Sequence, residues 1–101
     1  MASYAVSFEL ESNSTYSARY SSLMAQIRAT SMTWTETTSF ALVQTSETLA
    51  ELESRLYYRS ELSSLTDILL VIDPATSSAI GRGPIKYPNL LKANFRYCLL
   101  R

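Results

Sequence analysis

The chain has 101 residues, 47% of them hydrophobic and 18% charged, with two glycines, which suits one domain over residues 1–101 and excludes a disordered polar tract. Zero histidines exclude imidazole-based acid–base, nucleophilic and zinc chemistry, and a lone cysteine, Cys98, excludes an internal disulfide. A net charge of zero excludes the strongly basic balance of a dedicated polyanion binder.

Tyr4, Val6, Phe8 and Leu10 alternate with Ala5, Ser7 and Glu9, the two-residue period of a strand with one buried face, and define β1 over Tyr4–Leu10. The polar cluster Glu11 to Thr15 is rich in helix-capping residues. The stripe Tyr16, Tyr20, Leu23, Met24 and Ile27 after it predicts α1 over Thr15–Ala29. Threonine, aromatic and branched residues from Met32 to Thr45 favour a pleated surface, split into β2 (Thr33–Glu36) and β3 (Phe40–Thr45). Their junction, Thr37-Thr38-Ser39, lacks the glycine that a tight hairpin prefers. Ser46 or Thr48 caps α2, in which Thr48-Leu49-Ala50-Glu51 matches a capping box and Leu49, Leu52 and Leu56 face inward, with the end near Arg59.

A polar connection over 60–66 leads to β4, Asp67-Ile68-Leu69-Leu70-Val71-Ile72-Asp73, stopped by Pro74 and apolar enough to imply that both its faces are covered. The apolar run inside it is far below the roughly 20 residues of a membrane span. With no basic-then-apolar leader at the start, the expectation is a cytoplasmic protein with no membrane partner. Residues 74–101 read as loops around Gly81-Arg82-Gly83-Pro84 and Tyr87-Pro88-Asn89, then a short helical or extended piece from Leu90 to Leu100.

The zero net charge conceals a division. Residues 1–73 hold all nine acids and four bases, whereas residues 74–101 hold Arg82, Lys86, Lys92, Arg96 and Arg101 and no acid. Such polarity suits a tail that folds back on an acidic body, or an arm that binds an anion. The order β1-α1-β2-β3-α2-β4 predicts a ferredoxin-like βαββαβ fold. This is an α+β core over 3–73, with a four-stranded antiparallel sheet, β1 and β3 central, both helices on one face and a basic C-terminal extension over 74–101. The other face of the sheet is then bare, and a homodimer or the tail covers it. Ile68, Leu70 and Ile72, with the adjacent aromatics Tyr57 and Tyr58, are the candidate interface residues.

Tyr-Ala-Val-Ser-Phe-Glu-Leu, Trp34 before Thr-Ser-Phe-Ala-Leu-Val-Gln-Thr, the leucine-rich second helix and Asp-Ile-Leu-Leu-Val-Ile-Asp together resemble the small Cas2-like proteins, over residues 3–73. That group includes the CRISPR adaptation protein, VapD-type toxin ribonucleases and SinR-like bacterial and phage proteins. Active members carry an aspartate at the end of β1, and the matching position here is Glu9. The resemblance implies that two such acids across a dimer axis hold magnesium for phosphodiester cleavage. Glutamate's extra methylene moves the carboxylate by about 1 Å, more than the roughly 0.5 Å tolerance of a preorganised site, and argues against that activity.

The expectation is therefore a homodimeric binding module of bacterial or phage origin that acts on RNA, DNA or a nucleic-acid-handling complex, with no cofactor. Arg82, in its glycine-flanked loop, with Lys86, Lys92 and Arg96, forms the candidate anion site, and Tyr87, Phe95 and Tyr97 are interleaved for stacking. The alternatives are a magnesium-dependent endoribonuclease, with Glu9 as both catalytic and metal-binding residue, and an inhibitor that occupies a host defence protein.

Overall fold

In a computed structural model, which describes residues 1–30 and 32–101, β1 spans Ala2–Glu9, and the strict alternation of its apolar residues gives it one buried face. Tyr4, Val6 and Phe8 turn into the core, and the small residues between them face the other way. The remaining elements are α1 (Tyr16–Arg28), β2 (Met32–Trp34), β3 (Phe40–Thr45), α2 (Leu49–Tyr58), β4 (Ile68–Asp73), β5 (Ser78–Arg82), α3 (Pro88–Lys92) and β6 (Tyr97–Leu100). No helix among the described residues is long and apolar enough to cross a membrane.

The sheet has six strands in the order β2-β3-β1-β4-β5-β6, antiparallel except for the parallel pair β5–β6. This overturns the expected four-stranded antiparallel, ferredoxin-like sheet with two helices, since residues 74–101 supply two further strands and a third helix. The misreading has a local cause. Pro74 ends β4, but Ser77, at φ 55°, takes the left-handed turn position usually given to glycine and returns the chain as β5. The tail is therefore part of the sheet, and β1 and β4 are its middle strands.

The core lies between the sheet and the layer of α1 and α2. Leu23, Met24 and Ile27 from α1 and Leu52 and Leu56 from α2 close over Val6, Phe8, Ala41, Val43, Leu69 and Val71. α3 lies on the opposite face. Ile80 and Arg82 point toward α2, so Gly81 between them points away, and a Cβ there would meet Ile85 Cδ1 at 2.9 Å, Leu100 Cδ2 at 3.0 Å and Leu91 Cδ2 at 3.6 Å. This cover reaches only the β5–β6 end. Over the rest of that face, Met32 and Leu42 remain 65% and 46% exposed, and Trp34 is exposed beside them. Ile68, Leu70 and Ile72 are half-buried within the single chain.

Candidate functional site

At the upper end of β1 the chain passes through Glu9, Leu10 and Glu11 beside the loop that leads into β4. Together with Leu65, Thr66, Ile68 and Pro84, these residues line a cleft of about 410 Å³. The cleft is held from behind by buried charges. Arg19, on the inner side of α1, pairs with Asp67, and its guanidinium also donates to the Glu11 carbonyl and to Asn13 Oδ1. Asp67 accepts the backbone N–H of Glu11 at 3.0 Å and that of Ser63 at 3.1 Å. Burial pushes the Asp67 carboxyl up, but these two amides and the Arg19 guanidinium outweigh it, so its pKa lies below the ordinary value. Gly83 closes the same corner at φ 108°, where a Cβ would lie 2.0 Å from the Asp67 carbonyl oxygen.

Glu9 itself is exposed on the cleft wall, with Glu11 nearby. Among the described residues no three histidine, cysteine or acidic side chains converge as a metal-ligand group.

The expectation that Arg82 sits in an anion-binding loop is corrected by its position on β5, where it is buried and its charge already partnered. Its Nε and Nη2 donate to both carboxylate oxygens of Glu53, at 2.8 and 3.0 Å, and its guanidinium lies over the rings of Tyr57 and Tyr58, 4.1 and 4.9 Å from their centroids. The hydrogen bonds to Glu53 raise its pKa further above the ordinary arginine value. Arg101 Nη1 donates to the same carboxylate at 2.7 Å.

Lys86, Lys92 and Arg96 are exposed and form no ion pair among the described residues. Lys86 lies over the Tyr87 ring at 5.4 Å and Arg96 over the Tyr97 ring at 5.6 Å. Lys86 follows the upper end of β5, whereas Arg96 precedes the lower end of β6, so the crossover spreads these cations along its length instead of gathering them. The expected interface residues also separate. Ile68, Leu70 and Ile72 face the open side of the sheet, and Tyr57 and Tyr58 lie on α2 across the molecule, edge to face at 5.0 Å.

The pairing of Arg19 with Asp67, and of Glu53 with Arg82 and Arg101, is absent from the sequence reading, although the helical stripe held a signal. Glu53 falls between Leu49 and Leu56 on the inward side of α2, and Arg19 is one turn before Leu23 on the inward side of α1. A charge on a buried stripe requires a partner. Both partners come from strand ends far along the chain. Comparison of the chain with protein-family models, curated proteins and solved structures returned no match.

Proposed function

We propose that this protein is a small homodimeric binding module, with the open sheet face as its self-association surface and the β5–β6 crossover as its contact with nucleic acid or a nucleic-acid-handling complex. The observation that carries this reading is the composition of the open face. Ser3, Ala5 and Ser7 of β1, Met32 and Trp34 of β2, Phe40, Leu42 and Gln44 of β3, and Ile68, Leu70 and Ile72 of β4 share it, and among the described residues the one charge that these four strands turn toward it is Glu9 at its corner, since Asp73 alternates to the other side with Leu69 and Val71. An apolar, nearly uncharged surface meets its own copy without like-charge repulsion.

The crossover contributes Lys86, Lys92 and Arg96 with the exposed rings of Tyr87 and Tyr97. Rings stack on bases without regard to sequence, and three cations give a salt slope of about −2 for a single strand. Cleavage is not part of this reading.

Sedimentation velocity, with gel retardation of labelled single-stranded RNA and double-stranded DNA in magnesium and in chelator, tests it. The expected outcome is a dimer that Leu42→Asp splits, with salt-sensitive retardation that Lys86→Glu combined with Arg96→Glu abolishes and Glu9→Ala leaves intact. A monomer at all concentrations overturns the dimer, and metal-dependent cleavage lost in Glu9→Ala replaces the module with the endoribonuclease. Absence of both retardation and cleavage leaves a host protein as the partner.

A further inference from the structure

β6 is an edge strand, and among the described residues nothing bonds its outer backbone groups. Tyr97 N–H donates to the Ser77 carbonyl at 3.1 Å and Arg101 N–H to that of Gly81 at 2.9 Å, so Tyr97, Leu99 and Arg101 turn their amides toward β5. In a parallel pair the residues between them turn both backbone groups outward. Cys98 and Leu100 therefore present two N–H donors and two carbonyl acceptors to the outside of the sheet. Natural edges are blunted by shortness, as β6 is at four residues, and by a charge, a proline or a bulge within the strand. Tyr-Cys-Leu-Leu contains none of the last three.

A groove runs beside this edge on the helix side. It has a volume of about 450 Å³ and is lined by Leu49 at the start of α2, Ile80 of β5, and Tyr97 and Leu99 of β6, with Arg96 at its lower end. Tyr97 and Leu99 are 60% and 52% exposed although they lie on the same face as the core. A strand added to β6 would place alternate side chains against Leu99, Tyr97 and Leu49. An unpaired edge beside an apolar groove under a helix is the arrangement in which strand addition gives affinity through the backbone and selectivity through alternate side chains.

We infer that the β6 edge and its groove bind an extended peptide of a partner protein, apolar at alternate positions and acidic at its flanks. The charge of the edge selects this occupant. Arg101 at the upper end of β6 is held by Glu53, but Arg96 at the lower end is exposed with no ion pair among the described residues, so an acidic flank meets Arg96, whereas the tail of a second copy, with no acid in residues 74–101, has none to offer it. A nucleic acid fits poorly, since phosphates accept hydrogen bonds but leave the two outward carbonyls unanswered. The inference does not depend on the homodimer or on the crossover cations as a nucleic-acid contact.

The test titrates the isotope-labelled full chain with the peptide EVTVTVE and follows amide shifts, hydrogen exchange and binding. Saturable binding with new protection of the Cys98 and Leu100 amides is expected, with binding to KVTVTVK at least tenfold weaker. Leu100→Pro removes one outward N–H and no sheet hydrogen bond, and Leu100→Ala controls for the side chain lost against Gly81. Leu100→Pro is expected to bind at least tenfold more weakly than Leu100→Ala. Equal binding by the two variants, equal binding of the two peptides, or no saturation overturns the inference. So does self-association that Leu100→Pro abolishes and Leu100→Ala does not, which would assign the edge to a second copy.

Discussion

Asp67 is the residue through which the β1 end and the β4 entry are tied together. Its carboxylate receives Arg19 and two backbone amides in a nearly solvent-free position, so removing its charge leaves the Arg19 guanidinium buried and unpaired. Breaking a buried pair in this way costs about 3–5 kcal/mol. The pH dependence has a definite sign. The native pKa is below the unfolded value of about 4, so the unfolded chain binds the proton more readily. Stability from Asp67 is complete above that pH and is lost as pH falls through the native pKa. Glu47 acts in the same direction, its carboxyl held low chiefly by the hydrogen bond from Arg55. Urea unfolding from pH 7 to pH 2.5 should show Asp67→Asn less stable at neutral pH and converging on the native chain in acid, with a residual slope from Glu47. Parallel profiles would remove Asp67 from this role.

At the scale of elements, α2 shows what a sequence reveals and what it hides. Thr48 Oγ1 accepts the Glu51 amide at 3.1 Å, and Glu51 Oε1 accepts the Thr48 amide at 2.9 Å, so the box written in four adjacent residues forms as read. Such local devices are legible because both partners lie within one turn. β5 was not legible because its evidence is remote. Ser78 to Arg82 is a strand through its register with β4 and through Arg82 reaching Glu53, and neither partner is local. The hairpin between β2 and β3 falls between these cases, since Ser39 at φ 55° does the work of the absent glycine. The candidate site divides in the same way. Exposed Lys86, Lys92 and Arg96 were identifiable by type, whereas the partnered state of Arg82 depends on the fold. Thr48→Ala should lower stability by about 1 kcal/mol in urea unfolding and fray α2 at Leu49, measured by amide exchange of the first turn. Thr48→Asp should restore most of the loss.

Across the whole molecule, the charge division between residues 1–73 and 74–101 is met inside the domain for two of the five tail cations, at one buried carboxylate. Glu53 on α2 takes Arg82 from β5 and Arg101 beyond β6, so the tail is bound to the body through an ion cluster as well as through the sheet. The three side chains differ in burial, and the effects of substitution should differ accordingly. Glu53→Ala leaves two guanidinium groups unpartnered, one of them buried, and should lower stability by about 3–5 kcal/mol. Arg101→Ala removes a partly exposed partner and should cost about 1 kcal/mol. Replacing both members of the buried pair, as Glu53→Leu with Arg82→Leu, should recover much of the Glu53→Ala loss, because the buried guanidinium is removed with its carboxylate and the rings of Tyr57 and Tyr58 flank the Arg82 position, while Arg101 stays partly exposed. Unfolding followed separately by Trp34 fluorescence in the body and by amide exchange of β6 in the tail distinguishes a shared unit from an appended one. Coincident transitions in the native chain, and their joint shift in Glu53→Ala, are expected of one cooperative domain. A tail that exchanges freely while Trp34 keeps its native signal would show that the cluster only rests on the body, and would limit the role of Glu53 to the local packing of α2.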